Sequence, residues 1–454
     1  MTTVAASGLR EGDEELSARM RELAVGLYDT LGHPRSFTLS AGGTRLCYLR
    51  ARSHDDRRQA LWIVDLDGDA DPTLLVDPDD LGDDRDASAA ERARRERTRE
   101  QAGGITAYAA TADLGTLTFA HGARLHVVTV ADRSMDVLDV TGPVAEPRPS
   151  PDGRHVAWVA DGRLHVADIA GDAARELAGD DDPDVTWGLA EFIAAEEMGR
   201  LRGFWWAPDG MAIAACRVDA TAVERWWLHE PLTPDAPPSA LRYPAAGTSN
   251  AAVELAVLGL DGSRTDVVWD RERLPYLAAV RWPQGGPLTL GVQERDQRRL
   301  EVRTVVAGGE TRVHRTITGD PWVELVDGTP NWTADGQLVT VEDDLSVDTR
   351  RVVVDGTAHS PAGLHITGVV SCGPHGVVVT ASADDPTASG LWSLLVDAAP
   401  PRALTPEDGV HGGVAAAGTV VVHRERSDDT SVATRVLRDG APVGYSTITQ
   451  QLAR

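Results

Sequence analysis

The chain has 454 residues, 42% apolar and 25% charged, a balance typical of a globular protein and ample for a large core. Seventy acidic side chains face 44 basic ones, all of them arginine, for a formal charge of −26. A field of that sign repels nucleic acid and anionic membrane, so neither is an expected partner, and no apolar run approaches the roughly 18 residues of a membrane span.

From Met1 to Glu15 the chain turns acidic at once and has no apolar stretch of the signal-peptide kind, so cytoplasm is the expected location. Gly12 to Thr30 reads as a helix, with Leu16, Met20, Leu23, Leu27 and Tyr28 on one face at three- and four-residue spacing. Phe37 to Val76 alternates as strands do, and Ala89 to Gln101 reads as a second helix crowded with Arg and Glu. The expected organisation is an N-terminal helical segment over 1–35 and a β-domain over 36–454.

From Ile105 onward, short apolar strands and turns repeat. Pro151-Asp152-Gly153 precedes His155 to Val159, and Asp161-Gly162 precedes Leu164 to Ala167. Pro208-Asp209-Gly210 and Ala334-Asp335-Gly336 introduce two more such strands. Asp-Gly between apolar strands is a strong hairpin signal, because the turn needs a backbone conformation that glycine adopts without strain. Several of these units run about 40 to 50 residues, the size of a four-stranded propeller blade. The expected fold is all-β: a β-propeller of about eight blades, with seven as the alternative count and two stacked sandwiches as the competing architecture. Cys47, Cys216 and Cys372 lie far apart in apolar runs and read as small core residues. No cofactor or metal is expected: the chain has no phosphate-cradling glycine loop, and its 13 histidines show no ligand spacing with acidic support.

The stretch from Val185 to Gly262 differs from its surroundings. It contains Trp187, then Glu196-Glu197, then Gly203-Phe204-Trp205-Trp206-Ala207-Pro208-Asp209-Gly210, and further on Tyr243-Pro244-Ala245-Ala246-Gly247-Thr248-Ser249-Asn250. In this order the motifs resemble the N-terminal propeller of the dipeptidyl peptidase IV family, in the prolyl oligopeptidase clan of serine peptidases. Fainter likeness runs through Arg95-Glu96-Arg97-Thr98-Arg99 and Val280-Arg281-Trp282. The resemblance implies that Glu196 and Glu197 project from a short inserted helix and grip the free amino terminus of a peptide. It also implies an arginine that reaches a substrate backbone carbonyl, with Arg97 and Arg99 the two candidates, and it leaves a lining role open to Tyr243.

The chemistry is reasonable on its own terms. Adjacent carboxylates repel unless a cation lies between them, and a primary ammonium brings three donors that can satisfy both. The plainer reading of Glu196-Glu197 is a solvated acidic helix face, and that of Arg92 to Arg99 an exposed helix laced with salt bridges to Glu91, Glu96 and Glu100. Trp205 and Trp206 read as blade core.

Family members carry an α/β-hydrolase domain beyond the propeller, with its serine on a Gly-x-Ser-x-Gly elbow. The sequence contains no such elbow, since Gly247 to Ala251 and Gly444 to Ile448 both break the pattern at the last glycine. The expectation is a recognition propeller that is inactive as a peptidase by itself, with no catalytic residue assigned. It would be partnered by free-amino peptides and by a hydrolase domain or chain, or by self-association through the apolar face of the first helix. A propeller scaffold for protein–protein interaction is the alternative. Leu345 to Arg350 lacks the fuller motif of the corresponding blade in relatives, which puts the shape of the late blades in doubt.

Overall fold

Gly153 and Gly162 hold φ of 69° and 74°, the left-handed conformation the Asp-Gly turns demand, and each turn folds one strand back on the next. The computed structural model describes residues 32–442 apart from 54, 69–70, 83–86, 141, 172–173, 395–399, 407–408 and 427–428, together with residues 16–18, 20 and 21. Among the described residues, antiparallel sheets succeed one another in chain order over 35–76, 109–138, 144–178, 185–267, 276–318, 331–358, 365–403 and 410–442. These are blades 1 to 8 of a propeller, which decides the blade count against seven and excludes the stacked sandwiches. Each blade is built on a path of four antiparallel strands, with a fifth short strand added in blades 1 and 4, so most of its ladder bonds are local.

The core is a set of apolar wedges between neighbouring blades. Leu117 and Phe119 of blade 2 meet Cys47, Leu49 and Leu61 of blade 1, and Trp158 of blade 3 meets Leu125 and Val127 of blade 2. Trp187, Phe204 and Ile213 of blade 4 cover Val159 and Leu164 of blade 3, and Leu290 and Val292 of blade 5 cover Cys216 and Leu255 of blade 4. At about 1.5–3 kcal/mol for each large side chain taken from water, these wedges are what hold the blades side by side. The ring closes where Leu46 and Tyr48 of blade 1 pack on Val421 and Val436 of blade 8, with Arg438 2.8 Å from Asp67.

Three interruptions break the regular pattern. Helix α1 (Ala89–Arg97) lies between blades 1 and 2, followed by the short strand Gly103–Gly104, which pairs in parallel with Arg58–Asp65. In blade 4 the innermost strand is split: Val185–Trp187 and Phe204–Trp206 both pair with Ala212–Asp219, and helix α2 (Phe192–Glu197) occupies the break. A two-stranded arm, Arg225–Leu228 with Ser239–Arg242, leaves the same blade.

Several expectations need adjusting. The second helix ends at Arg97, not Gln101: Thr98 is its C-cap, and Arg99, with φ of 51°, turns the chain out of the helix. Blade 6 keeps four strands despite its weak motif, with a two-residue outer strand, Thr357–Ala358. Cys47 and Cys216 are fully buried, but Cys372 is only partly so. Burial pushes the Cys47 and Cys372 thiols up to about 12, against the pull of Arg45 and Arg281, so neither is a ready nucleophile. Of the N-terminal segment, residues 16–18, 20 and 21 are helical, with Leu16 and Met20 exposed; the rest of that predicted helix lies outside the described residues.

Candidate functional site

Helix α2 is short and depends on its ends. Glu191, buried at the N-cap, accepts hydrogen bonds from the backbone N–H of Ile193 (2.5 Å) and Ala194 (2.9 Å). Burial pushes its carboxyl up, opposed by the nearby Arg200 and by those two N–H groups. Arg200, also buried, lies 3.8 Å from Glu191, donates to the Leu277 carbonyl of blade 5 (2.9 Å) and to the Arg202 carbonyl (2.8 Å). One ion pair thus ties both ends of the insert to the ring. The chain returns to the blade at Gly203, where a Cβ would come within 2.3 Å of the Leu189 carbonyl carbon, so no larger residue fits.

Ala194 and Ala195 face inward, which turns Glu196 and Glu197 outward on the last turn. Helix C-termini carry the negative end of the peptide dipoles, and the last turn of α2 has no basic residue of its own. The cation comes from α1. Arg97 donates from Nε to Glu196 Oε1 at 2.8 Å, and its guanidinium carbon lies 5.6 Å from the centre of the Phe192 ring. Glu197 is exposed and has no side-chain partner among the described residues.

Helix α1 is itself anchored. Ser88 caps it by accepting from the Glu91 N–H at 3.0 Å. Buried Glu91 accepts from Arg94 Nε and Arg95 Nε, each at 2.7 Å, and from Thr106 at 3.1 Å. Burial alone would raise the Glu91 carboxyl, but Arg94 and Arg95 outweigh it and hold it below the usual range. Arg92, Arg94 and Arg95 thus serve the helix itself, Arg92 by donating to the Ala87 carbonyl, but the exposed lacing of the plainer reading needs adjusting: Glu91 is buried and Glu100 pairs with Arg35 outside the helix.

Tyr243 follows the arm. Its ring meets Phe192 edge-on at 5.2 Å and lies 4.9 Å from Trp226. The arm is pinned at its base by Asp184, which accepts from Arg225 at 2.9 Å and from Arg242. The structure therefore joins Glu196, Arg97, Phe192 and Tyr243 in one chain of contacts, with Glu197 beside them. Arg99 lies outside it, exposed and without a side-chain partner among the described residues.

The sequence reading did not find Glu191, Phe192, Arg200 or Trp226. An acidic residue just before the Phe192-Ile193-Ala194-Ala195 run is an N-cap signal that could have exposed Glu191; the others become meaningful only in three dimensions. Below α2, residues Met198 to Arg202 line a cavity of about 780 Å³ at the centre of the ring, together with Trp205, Trp206 and Trp282. The two tandem tryptophans are blade core, as expected, and cavity wall as well. Among the described residues, no group of three His, Cys, Asp or Glu side chains is placed to hold a metal.

The family model described as the dipeptidyl peptidase IV (DPP IV) N-terminal region matches residues 119–346, just over half of the chain. Among solved structures the chain is similar to dipeptidyl peptidase 4 of Porphyromonas gingivalis, at 17% identity and a TM-score of 0.75. The match covers 95% of this chain and 62% of that one, so the chain spans under two thirds of that protein's length.

Proposed function

The chain belongs to the dipeptidyl peptidase IV N-terminal region family, and on that premise we propose that it is the substrate-recognition propeller of a dipeptidyl peptidase-like system, holding peptides by their free amino terminus. The observation that carries this reading is the pair Glu196 and Glu197 on the last turn of α2, one paired with Arg97 and the other without a side-chain partner among the described residues. An incoming ammonium meets two adjacent carboxylates, of which only Glu196 is paired with Arg97, and each charge-assisted bond is worth about 1.5–3 kcal/mol where water is kept out. Arg97, anchored through α1, supports the backbone-orienting role, because its remaining donors stay available beside the glutamates. Phe192, Tyr243 and Trp226 form an apolar wall on the same side.

A ruler follows from this arrangement. An amino terminus fixed at α2 sets how far along the peptide any hydrolase chemistry acts, so recognition here selects position rather than performing cleavage. The test is calorimetric titration of a proline-containing dipeptide into the wild-type protein and into the Glu196→Ala, Glu197→Ala double variant. Binding by the first and none by the second is expected. Equal binding by both would favour the protein-interaction scaffold.

A further inference from the structure

The central cavity is lined by arginines that the amine-binding reading does not use. Arg148 comes from the innermost strand of blade 3, Arg202 from the end of the α2 insert, and Arg281 from the innermost strand of blade 5. They stand together in a protein whose formal charge is −26. Arg148 reaches Glu146 at 2.6 Å. Neither Arg202 nor Arg281 has a carboxylate within ion-pair distance among the described residues, although Glu324 and Asp327 also line the cavity and the charge of Asp327 is felt at Arg281.

The guanidinium groups are short of partners. The Nε atoms of Arg148 and Arg202 are buried with no hydrogen-bond acceptor among the described residues, and Arg202 makes one long bond, Nη2 to the Phe204 carbonyl at 3.3 Å. Its guanidinium carbon lies 5.8 Å from the Trp205 ring centre. Burial brings the Arg202 guanidinium down to about 9, and the charges of Arg148 and Arg281 push the same way against Glu146. Burial also lowers Arg281. Buried like charges without counter-ions are costly, and a fold retains them where an anion completes the set.

The backbone is arranged to present these groups. The strand carrying Arg148 has a bulge between Ala145 and Arg148, with Glu146 at a φ of 52°, and such irregularities re-aim side chains at sites. Arg202 is fixed on its other side by the close approach at Gly203. We infer that the central cavity holds a binding site for a small oxyanion or carboxylate, gripped by Arg202 and Arg281 with Arg148 at its edge. The site goes beyond amine recognition and does not depend on Glu196 or Glu197. The anion is either a free oxyanion or the acidic side chain of a bound peptide.

Sulfate serves as the probe, titrated against chloride at constant ionic strength, with the fluorescence of the tryptophans lining the cavity and the melting temperature as readouts. The wild type should show a saturable response in both, because ligand bound only to the folded state raises its stability with concentration. Arg202→Met and Arg281→Met should each lose at least tenfold in sulfate affinity, and their melting temperatures without sulfate should equal or exceed the wild type's. The Glu196→Ala, Glu197→Ala variant should keep the sulfate response in full, which separates this site from amine binding. If an amidated Ala-Glu dipeptide displaces sulfate and Ala-Gln does not, the peptide supplies the carboxylate; if neither does, the ligand is a free oxyanion. A non-saturating response, or the same response in wild type and both arginine variants, overturns the proposal.

Discussion

Blades 3 and 4 are neighbours built from the same strand ladder, and they differ in two interruptions. Blade 3 runs its four strands in chain order over 144–178, with fully buried Trp158 packed against blade 2. Blade 4 fills the same ladder positions but splits its innermost strand to admit α2 and opens the connection between its two middle strands to project the arm. The regular blade uses its residues for packing. The interrupted one uses a buried ion pair, a crowded glycine and an aromatic contact to hold two carboxylates at the rim. The ring supplies rigidity, and the breaks in its pattern carry the candidate binding groups.

This contrast can be broken at its packed end first. Trp158→Ala should cost about 3–5 kcal/mol, seen as a lower denaturant midpoint, while the folded fraction binds peptide as before. A loss of affinity in folded protein would mean that blade 3 shapes the site directly. Glu91→Gln should cost about 3 kcal/mol by leaving Arg94 and Arg95 without their buried partner. The same group gives a pH dependence. Its carboxyl is held below its ordinary 4.5, so its contribution is complete above that value and is lost as pH falls through the lower, folded-state value. Acid titration of stability should show this loss in the wild type and a smaller one in the Gln variant.

At the interrupted end the effects should fall on binding. Glu197→Ala should weaken free-amino peptide binding by about 1.5–3 kcal/mol, roughly ten- to hundredfold, with the melting temperature unmoved because this carboxylate has no hydrogen bond or ion pair among the described residues. Arg97→Ala and Arg99→Ala sharpen the comparison: the first should weaken binding several-fold and the second should leave it unchanged. An effect of Arg99 alone would place the orienting arginine beyond the helix end. Among the residues joined in the chain of contacts, the smallest effect is expected from Tyr243→Ala, about 0.5–1.5 kcal/mol through the lost contact with Phe192.

Much of the ring was legible in the sequence because its signals are local. Asp152-Gly153 and Asp161-Gly162 announce hairpins within a few residues, and the adjacent tryptophans mark a buried strand. The double glutamate was legible as a motif, but its anchoring was not: Glu191 and Arg200 are nine positions apart and gain meaning only when Arg200 reaches the Leu277 carbonyl in the next blade. Arg97 and Arg99 differ in their surroundings because α1 ends between them, an end marked by the left-handed Arg99 backbone and not by side-chain periodicity. The cluster of Arg148, Arg202 and Arg281 was out of reach altogether, since it is assembled from three separate segments and aimed in part by a bulge at Glu146.

The central claim is that Glu196 and Glu197 bind a free amino terminus. Its most direct test is a pair of titrations on the wild-type protein, one with a proline-containing dipeptide and one with the same dipeptide acetylated at its nitrogen. Binding of the free amine with at least tenfold weaker binding of the acetylated form is the result predicted here. Equal affinity for the two would contradict the account, because nothing in the site would then be reading the ammonium.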